Sequence, residues 1–530
     1  MEQTRHIKTL WLSIGCVGLL FFLRTGYHLF SYMPLLDDFI QYRVYSFYPD
    51  PISDVILRIG LLSSRPLAGI FDVFVWAKFW NCLWLALLLM SVAYAISCCA
   101  YWKLFEKYMH SGWLFIILFG LAPFLFEGTY WLSASSRIVV SLGFSAAALW
   151  LLDVYLSKKT VGPLVAFAIF HLCSLAFYEQ TAAISVVLAL FLLWERRGKT
   201  KPAVWAIPFI NGACVAYFYL FVRTGAGLSA GRIRLVTADF LGHFKGVFSQ
   251  VWEAFAIAGG KITLYGAWDG FWLLHSGWGL LFLVGIVAGA GFTGVLAYRA
   301  FLPGKEGRQT VVGCLLFLAG LAPFFILQGQ VVTLRCVVAP CMGLALLVDA
   351  AARRVLRQGP IVYGTICGIL CAVFLLGCVS ETDLYYRTGK DDWENVGALC
   401  ETIKGARDEA NIAIIGAPEY YAFNRVQFYE HSYSVFSSQW ALSGAVRAKS
   451  EDALHCRVYS IRPDAPVHAG YEDFLQYESF FGFDGGQFIP LSMSQDGDTF
   501  VFTDAAGQRI FAEAQKQANG YYLVMNDAAK

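Results

Sequence analysis

The stretch LWLSIGCVGLLFFLRTGYHLFSYMPLLDDFIQYR, residues 10–43, decides how this chain is read. Its first part is an apolar run of the length that crosses a bilayer, roughly 20 residues. Arg5 and Lys8 precede it and no small-x-small cleavage site follows, so it reads as an uncleaved first helix. The run gives way to Asp37 and Asp38, set among Leu35, Leu36, Phe39, Tyr42 and Arg43. Two adjacent carboxylates placed directly after a spanning helix sit at a membrane surface. The remaining question is what shares that space.

Working outward, apolar runs recur at 10–30, 73–101, 112–126, 138–156, 161–177, 181–194, 203–222, 270–298, 310–327, 331–350 and 360–379. They predict an all-α polytopic domain of about eleven transmembrane helices over residues 1–379. Composition agrees: of 530 residues 58% are hydrophobic and only 15% charged, well outside the range of soluble domains. A net charge of +2 provides no field for nucleic acid. Lysines and arginines alternate along the loops, at Lys103/Lys107, Lys158/Lys159, Arg196/Arg197, Arg299/Lys305/Arg308 and Arg353/Arg354/Arg357. With these inside, the N-terminus is cytoplasmic and the 31–71 loop lies outside. The 247–263 segment is apolar but broken by Glu253, Gly259, Gly260 and Lys261, and reads as interfacial or re-entrant.

From 380 to 530 the composition turns polar, predicting a small extracytoplasmic α/β domain. Helix is expected over 392–410, a buried strand over 412–416, and a hairpin of 499–503 with 509–512 around Asp504-Ala505-Ala506-Gly507. Cys400 and Cys456 lie alone in this region; a disulfide between them and two free thiols are both open. No glycine-rich loop follows a strand, so a nucleotide-linked donor has no evident site.

The polar residues that interrupt the outer edges are the chemical candidates. Asp37 and Asp38 suit a general base on an alcohol, or a divalent cation bridging phosphates; equally, they suit a solvated loop or a helix cap. The 31–71 loop also holds an amphipathic piece, 53–62, able to roof a cavity, and Arg65. Glu127, Tyr130, Trp131 and Arg137 cluster in the second outer loop, and Tyr178-Glu179-Gln180 joins two apolar runs directly. A carboxylate there costs several kcal/mol unless it meets a partner or a wet cavity. Lys78, inside the second run, is a cation with the same difficulty; it would pair with Glu127 or Glu179, or meet an anionic ligand. Arg65, Arg137, Arg223, Arg232, Arg234 and Arg335 are either headgroup anchors or clamps for a lipid phosphate.

These residues together resemble the GT-C class of multi-spanning glycosyltransferases, and more narrowly the bacterial serotype-converting O-antigen glucosyltransferases. The resemblance is carried by Asp37-Asp38 with Arg43, Ser64-Arg65-Pro66-Leu67-Ala68, Glu127-Gly128-Thr129-Tyr130-Trp131 through Ser135-Ser136, and Tyr178-Glu179-Gln180. It covers residues 1–380 well and the tail loosely. It departs from the family pattern in the four residues separating Asp38 from Arg43. The resemblance implies a polyprenyl-phosphate sugar donor, a glycan acceptor outside the cell and a first-loop acid as general base. Arg43, Arg65, Lys78, Glu127, Tyr130, Trp131, Arg137, Tyr178, Glu179, Gln180 and Arg335 would then contact substrate, with a divalent cation at Asp37/Asp38 as an option. The rival expectation is a non-enzymatic flippase or export component for the same lipid-linked glycans.

Overall fold

The computed structural model describes residues 2–57, 65–217, 234–302, 304–356, 359–462, 474–507, 509–517 and 520–526. The 53–62 piece is therefore described only as far as Leu57, and Ser64, Arg223 and Arg232 lie outside the described residues. The chain divides into two compact units. A helical unit takes Met1–Ser31, Asp50–Trp76 and Cys82–Asp383; a sheet unit takes Tyr32–Pro49, Ala77–Asn81 and Leu384–Lys530.

Six helices among the described residues are long and apolar enough to cross a membrane: Trp76–Met109, Leu132–Lys158, Trp278–Arg299, Glu306–Ile326, Leu334–Val355 and Pro360–Thr402. Three shorter apolar helices, Trp11–Thr25, Val161–Phe177 and Pro202–Tyr217, accompany them. This is fewer than the eleven runs suggested, for local reasons. The 112–126 run holds a helix of only 9 residues, Trp113–Leu121, because Pro123 begins a 3-10 turn. The 270–298 run is two helices, Gly259–Leu274 and Trp278–Arg299, parted at Gly277 with φ +58°. Only glycine adopts that backbone without strain.

The 247–263 segment is not interrupted at its glycines or its charges. It lies inside a continuous helical run over 240–274, with a π-helical turn at Glu253–Ala258. A Cβ on Gly259 would meet Phe124 at 3.3 Å and one on Gly260 nothing within 4 Å; closer packing comes from the glycines that follow. A Cβ on Gly266 would meet Gly377 Cα at 3.2 Å, and one on Gly270 would overlap the Leu376 carbonyl. The same device joins Gly294 to Gly364 and Gly313 to Gly343. Without an oil–water difference between helices, close backbone approach through small residues is what holds apolar helices together.

Two buried polar knots tie the helices further. Asp349 pairs with Arg353 at 3.2 Å and accepts from Tyr363 Oη (2.7 Å), Gly112 N (2.8 Å) and Gln309 Nε2 (2.8 Å). Asp153 accepts from Lys107 Nζ at 2.6 Å and from Tyr108 Oη at 2.5 Å. Arg353 and Lys107, read from sequence as loop cations, thus have carboxylate partners.

Among its described residues the sheet unit has seven strands: β1 Asn411–Ile415, β2 Arg457–Ile461, β3 Ser479–Asp484, β4 Gln487–Asp496, β5 Thr499–Asp504, β6 Ile510–Gln517 and β7 Gly520–Met525. Their order is β2-β1-β3-β4-β5-β6-β7. β1 is parallel to both neighbours and the rest form an antiparallel meander. The near-continuous apolar β1, NIAII, suits a strand covered on both faces. Parallel β1 and β2 require a crossover, supplied by the helix Gln439–Lys449, whose N-cap Ser438 accepts from Ala441 N. The expected hairpin is present as β5–β6, while the 392–410 helix is the end of the 43-residue helix Pro360–Thr402 and stops short of 410. Cys400 and Cys456 are free and buried, and burial pushes the Cys456 thiol up to about 11.

Candidate functional site

The predicted residues fall into both units. In the sheet unit the acidic pair is split into two different environments. Asp38 is fully buried, and its Oδ2 accepts from Tyr32 Oη at 2.5 Å and from Leu35 N at 3.1 Å. It closes the 32–38 turn on itself. Leu36 takes φ +42°, a left-handed backbone costly for leucine, and so sends the two neighbouring acids in different directions. Asp37 is half-buried, and its carboxylate makes no hydrogen bond or ion pair with any described residue. Its carbonyl accepts from Ile40 N (3.1 Å) and Gln41 N (2.9 Å), starting the π-helical turn Phe39–Arg43.

That turn is heavily anchored. Phe39, Ile40, Gln41 and Tyr42 are buried. The Phe39 ring lies parallel to Trp393, centroids 5.9 Å apart, and Trp80 meets Trp393 edge-on at 5.9 Å. Lys449 Nζ covers the Trp393 ring at 3.9 Å, where burial holds the ammonium below its ordinary value. Arg43 lies over Phe47 at 4.6 Å and has no carboxylate partner among the described residues. Arg447 approaches the same ring at 5.8 Å but is bonded to Asp452 and Tyr48. Lys78 is exposed on the 3-10 helix Trp76–Cys82. It is not the partner of Glu127 or Glu179, both of which have arginines within the helical unit.

There, Glu179 begins the helix Glu179–Glu195 and is gripped by Arg65 through Nε at 2.8 Å and Nη2 at 2.6 Å. The guanidinium also lies 4.7 Å over the Tyr178 ring. Arg137 Nη2 donates to buried Asp72 at 2.7 Å. Glu127 is buried in the single turn Phe126–Thr129, with Arg335 Nε at 4.0 Å; Arg335 also lies 5.5 Å over Trp131. Gly128 permits this approach, since a Cβ there would meet the Arg335 backbone at 3.2 Å. Tyr130 stacks on Phe126 at 4.9 Å, and Gln180 Nε2 donates to the carbonyls of Gly320 (3.1 Å) and Cys336 (3.0 Å). The outer arginines with described side chains, Arg65, Arg137 and Arg335, are therefore matched to carboxylates.

Sequence reasoning missed three buried charges in this cluster. Arg24 lies over Phe126 (4.5 Å) and Tyr94 (5.2 Å) and donates to Thr129 Oγ1. Glu381 is buried within electrostatic reach of Glu127, and Asp72 is the partner of Arg137. Arg24 was visible as a cation inside an apolar run; Asp72 and Glu381 stood out only through their partners.

As protein ligands for a cation, Asp37 and Asp38 are a poor set. Asp38 spends an oxygen on two donors, and no group of three His, Cys, Asp or Glu gathers in ligand geometry among the described residues. No protein-family model matches the chain, and no curated protein is similar to it.

Proposed function

We propose that the chain is an integral-membrane glycosyltransferase of the GT-C type, moving a sugar from a polyprenyl-phosphate donor to an extracytoplasmic glycan acceptor. The observation that carries this reading is the asymmetry of the acidic pair. One carboxylate is locked into the loop, and its neighbour is half-exposed, unengaged and mounted on a rigid turn. Asp37 takes the proton of an acceptor hydroxyl as that oxygen attacks the anomeric carbon. The bond from anomeric carbon to phosphate oxygen breaks, and the polyprenyl phosphate departs with the electron pair. General-base catalysis of this kind contributes about 10²–10⁴-fold.

Arg43, stacked on Phe47 and with no carboxylate partner among the described residues, is the residue best suited to the leaving phosphate, where a fixed cation is worth most as charge develops. On this reading the loops carrying Lys158/Lys159 and Arg196/Arg197 are cytoplasmic, as is the N-terminus. The sheet unit lies outside.

The test is transfer from a synthetic polyprenyl-phosphate hexose to a short glycan by the full-length protein in detergent. Asp37→Asn is expected to lower the rate at least 100-fold, and Asp38→Asn to retain far more activity. Transfer by Asp37→Asn at the wild-type rate removes the base assignment. A wild-type protein that binds the donor and never cleaves it is a carrier of lipid-linked glycan instead.

A further inference from the structure

We infer that Gly389 and Gly444 are positioning residues that set the aim of Asp37 from either side of its loop; the inference rests on the glycosyltransferase reading of that carboxylate. Both glycines sit inside helices, Pro360–Thr402 and Gln439–Lys449, where a glycine is a poor helix former. Neither needs a positive φ, so backbone freedom does not explain them. What explains them is contact with the acidic loop, all within the sheet unit.

A Cβ on Gly389 would stand 2.7 Å from Met33 Cβ, 2.9 Å from the Met33 carbonyl and 3.0 Å from that of Pro34. Those are mainly backbone atoms, which cannot rotate away. A Cβ on Gly444 would overlap Ile40 Cδ1 and lie 2.9 Å from Ile40 Cγ1. Ile40 is itself buried and donates its N–H to the Asp37 carbonyl at 3.1 Å. The two bare helix faces thus receive the loop four residues before Asp37 and three after it. The Phe39–Trp393 stack fixes the loop between them. Moving either contact moves the backbone that aims the carboxylate, and reactions of this kind are sensitive to displacements of about 1 Å.

The experiment uses full-length protein in detergent carrying Gly389→Ala, Gly444→Ala, or Gly444→Ala combined with Ile40→Val, which deletes the Cδ1 atom in the way. Both single glycine variants are expected to lose at least tenfold in kcat with donor KM within twofold, and the double variant to recover most of the loss. Carbodiimide modification of Asp37, followed by mass spectrometry of its peptide, gives a readout independent of transfer. Its rate should change at least threefold in Gly444→Ala and return in the double variant. Unchanged kcat in both glycine variants of an active enzyme overturns the inference and leaves the base assignment standing. Should the wild type transfer no sugar, an unchanged labelling rate overturns it equally. If Gly444→Ala does not accumulate, the double variant decides: recovery of folded, active protein supports the contact and failure overturns it.

Discussion

Replacing Asp38 by alanine separates a structural acid from a reactive one. The substitution leaves Tyr32 Oη and Leu35 N, both buried, without the oxygen they share at 2.5 and 3.1 Å. Each stranded buried donor costs about 1–3 kcal/mol, so a loss of about 3 kcal/mol is expected. At about 2–4 °C per kcal/mol for a unit of this size, the melting temperature falls by about 6–12 °C. Both donors converge on one oxygen, so asparagine keeps an acceptor in place and loses only the charge assistance; about half the shift is expected. Asp37→Ala removes a half-exposed group with no bonds to the described residues, and should stay within about 0.5 kcal/mol of wild type while transfer is lost. Tryptophan fluorescence melting and sugar transfer on the same detergent preparations read both quantities, with Trp80 and Trp393 near the loop as reporters. Equal melting shifts for the two alanine variants, or an unshifted Asp38→Ala, would refute the division of roles.

Further tests address other parts of the chain. His431 is fully buried, and burial pushes its imidazole down to about 4. Because the folded value lies below the unfolded value of about 6.5, this contribution is complete above pH 6.5 and is lost as pH falls from there toward 4. The loss reaches about 3 kcal/mol, and His431→Gln should flatten melting temperature against pH across that window. Gly343→Ala sets a Cβ 2.5 Å from the Gly313 carbonyl and against the Phe317 backbone, and should cost about 2 kcal/mol by parting two helices. Gly291→Ala meets nothing within 4 Å and should be neutral or stabilising by up to about 1 kcal/mol, read in the same thermal melts. Glu179→Gln breaks a two-point ion pair whose partners are about a quarter exposed, and should destabilise by about 2 kcal/mol. Glu106→Gln breaks a one-point i,i+3 pair on a partly exposed helix face, and should stay within about 0.5 kcal/mol of wild type in the same melts.

The division between what was legible early and what was not follows the range of the forces involved. Whether a segment can cross a bilayer depends on the summed transfer energy of about 20 contiguous residues, so the long apolar helices and the polar C-terminal region were readable as composition. β1 and the β5–β6 hairpin were readable for the same local reason, an apolar strand and a turn closed by Gly507 at φ +65°. Single residues that end helices were harder: Pro123 and Gly277 broke runs whose average hydrophobicity hid them. Partner choice was not readable at all. Arg65, Arg137 and Arg335 found Glu179, Asp72 and Glu127 through packing of distant segments. The acids at 37 and 38 are chemically identical in sequence. Only the fold, through Tyr32 and the glycine-faced helices around the loop, buries one side chain and leaves its neighbour half-exposed.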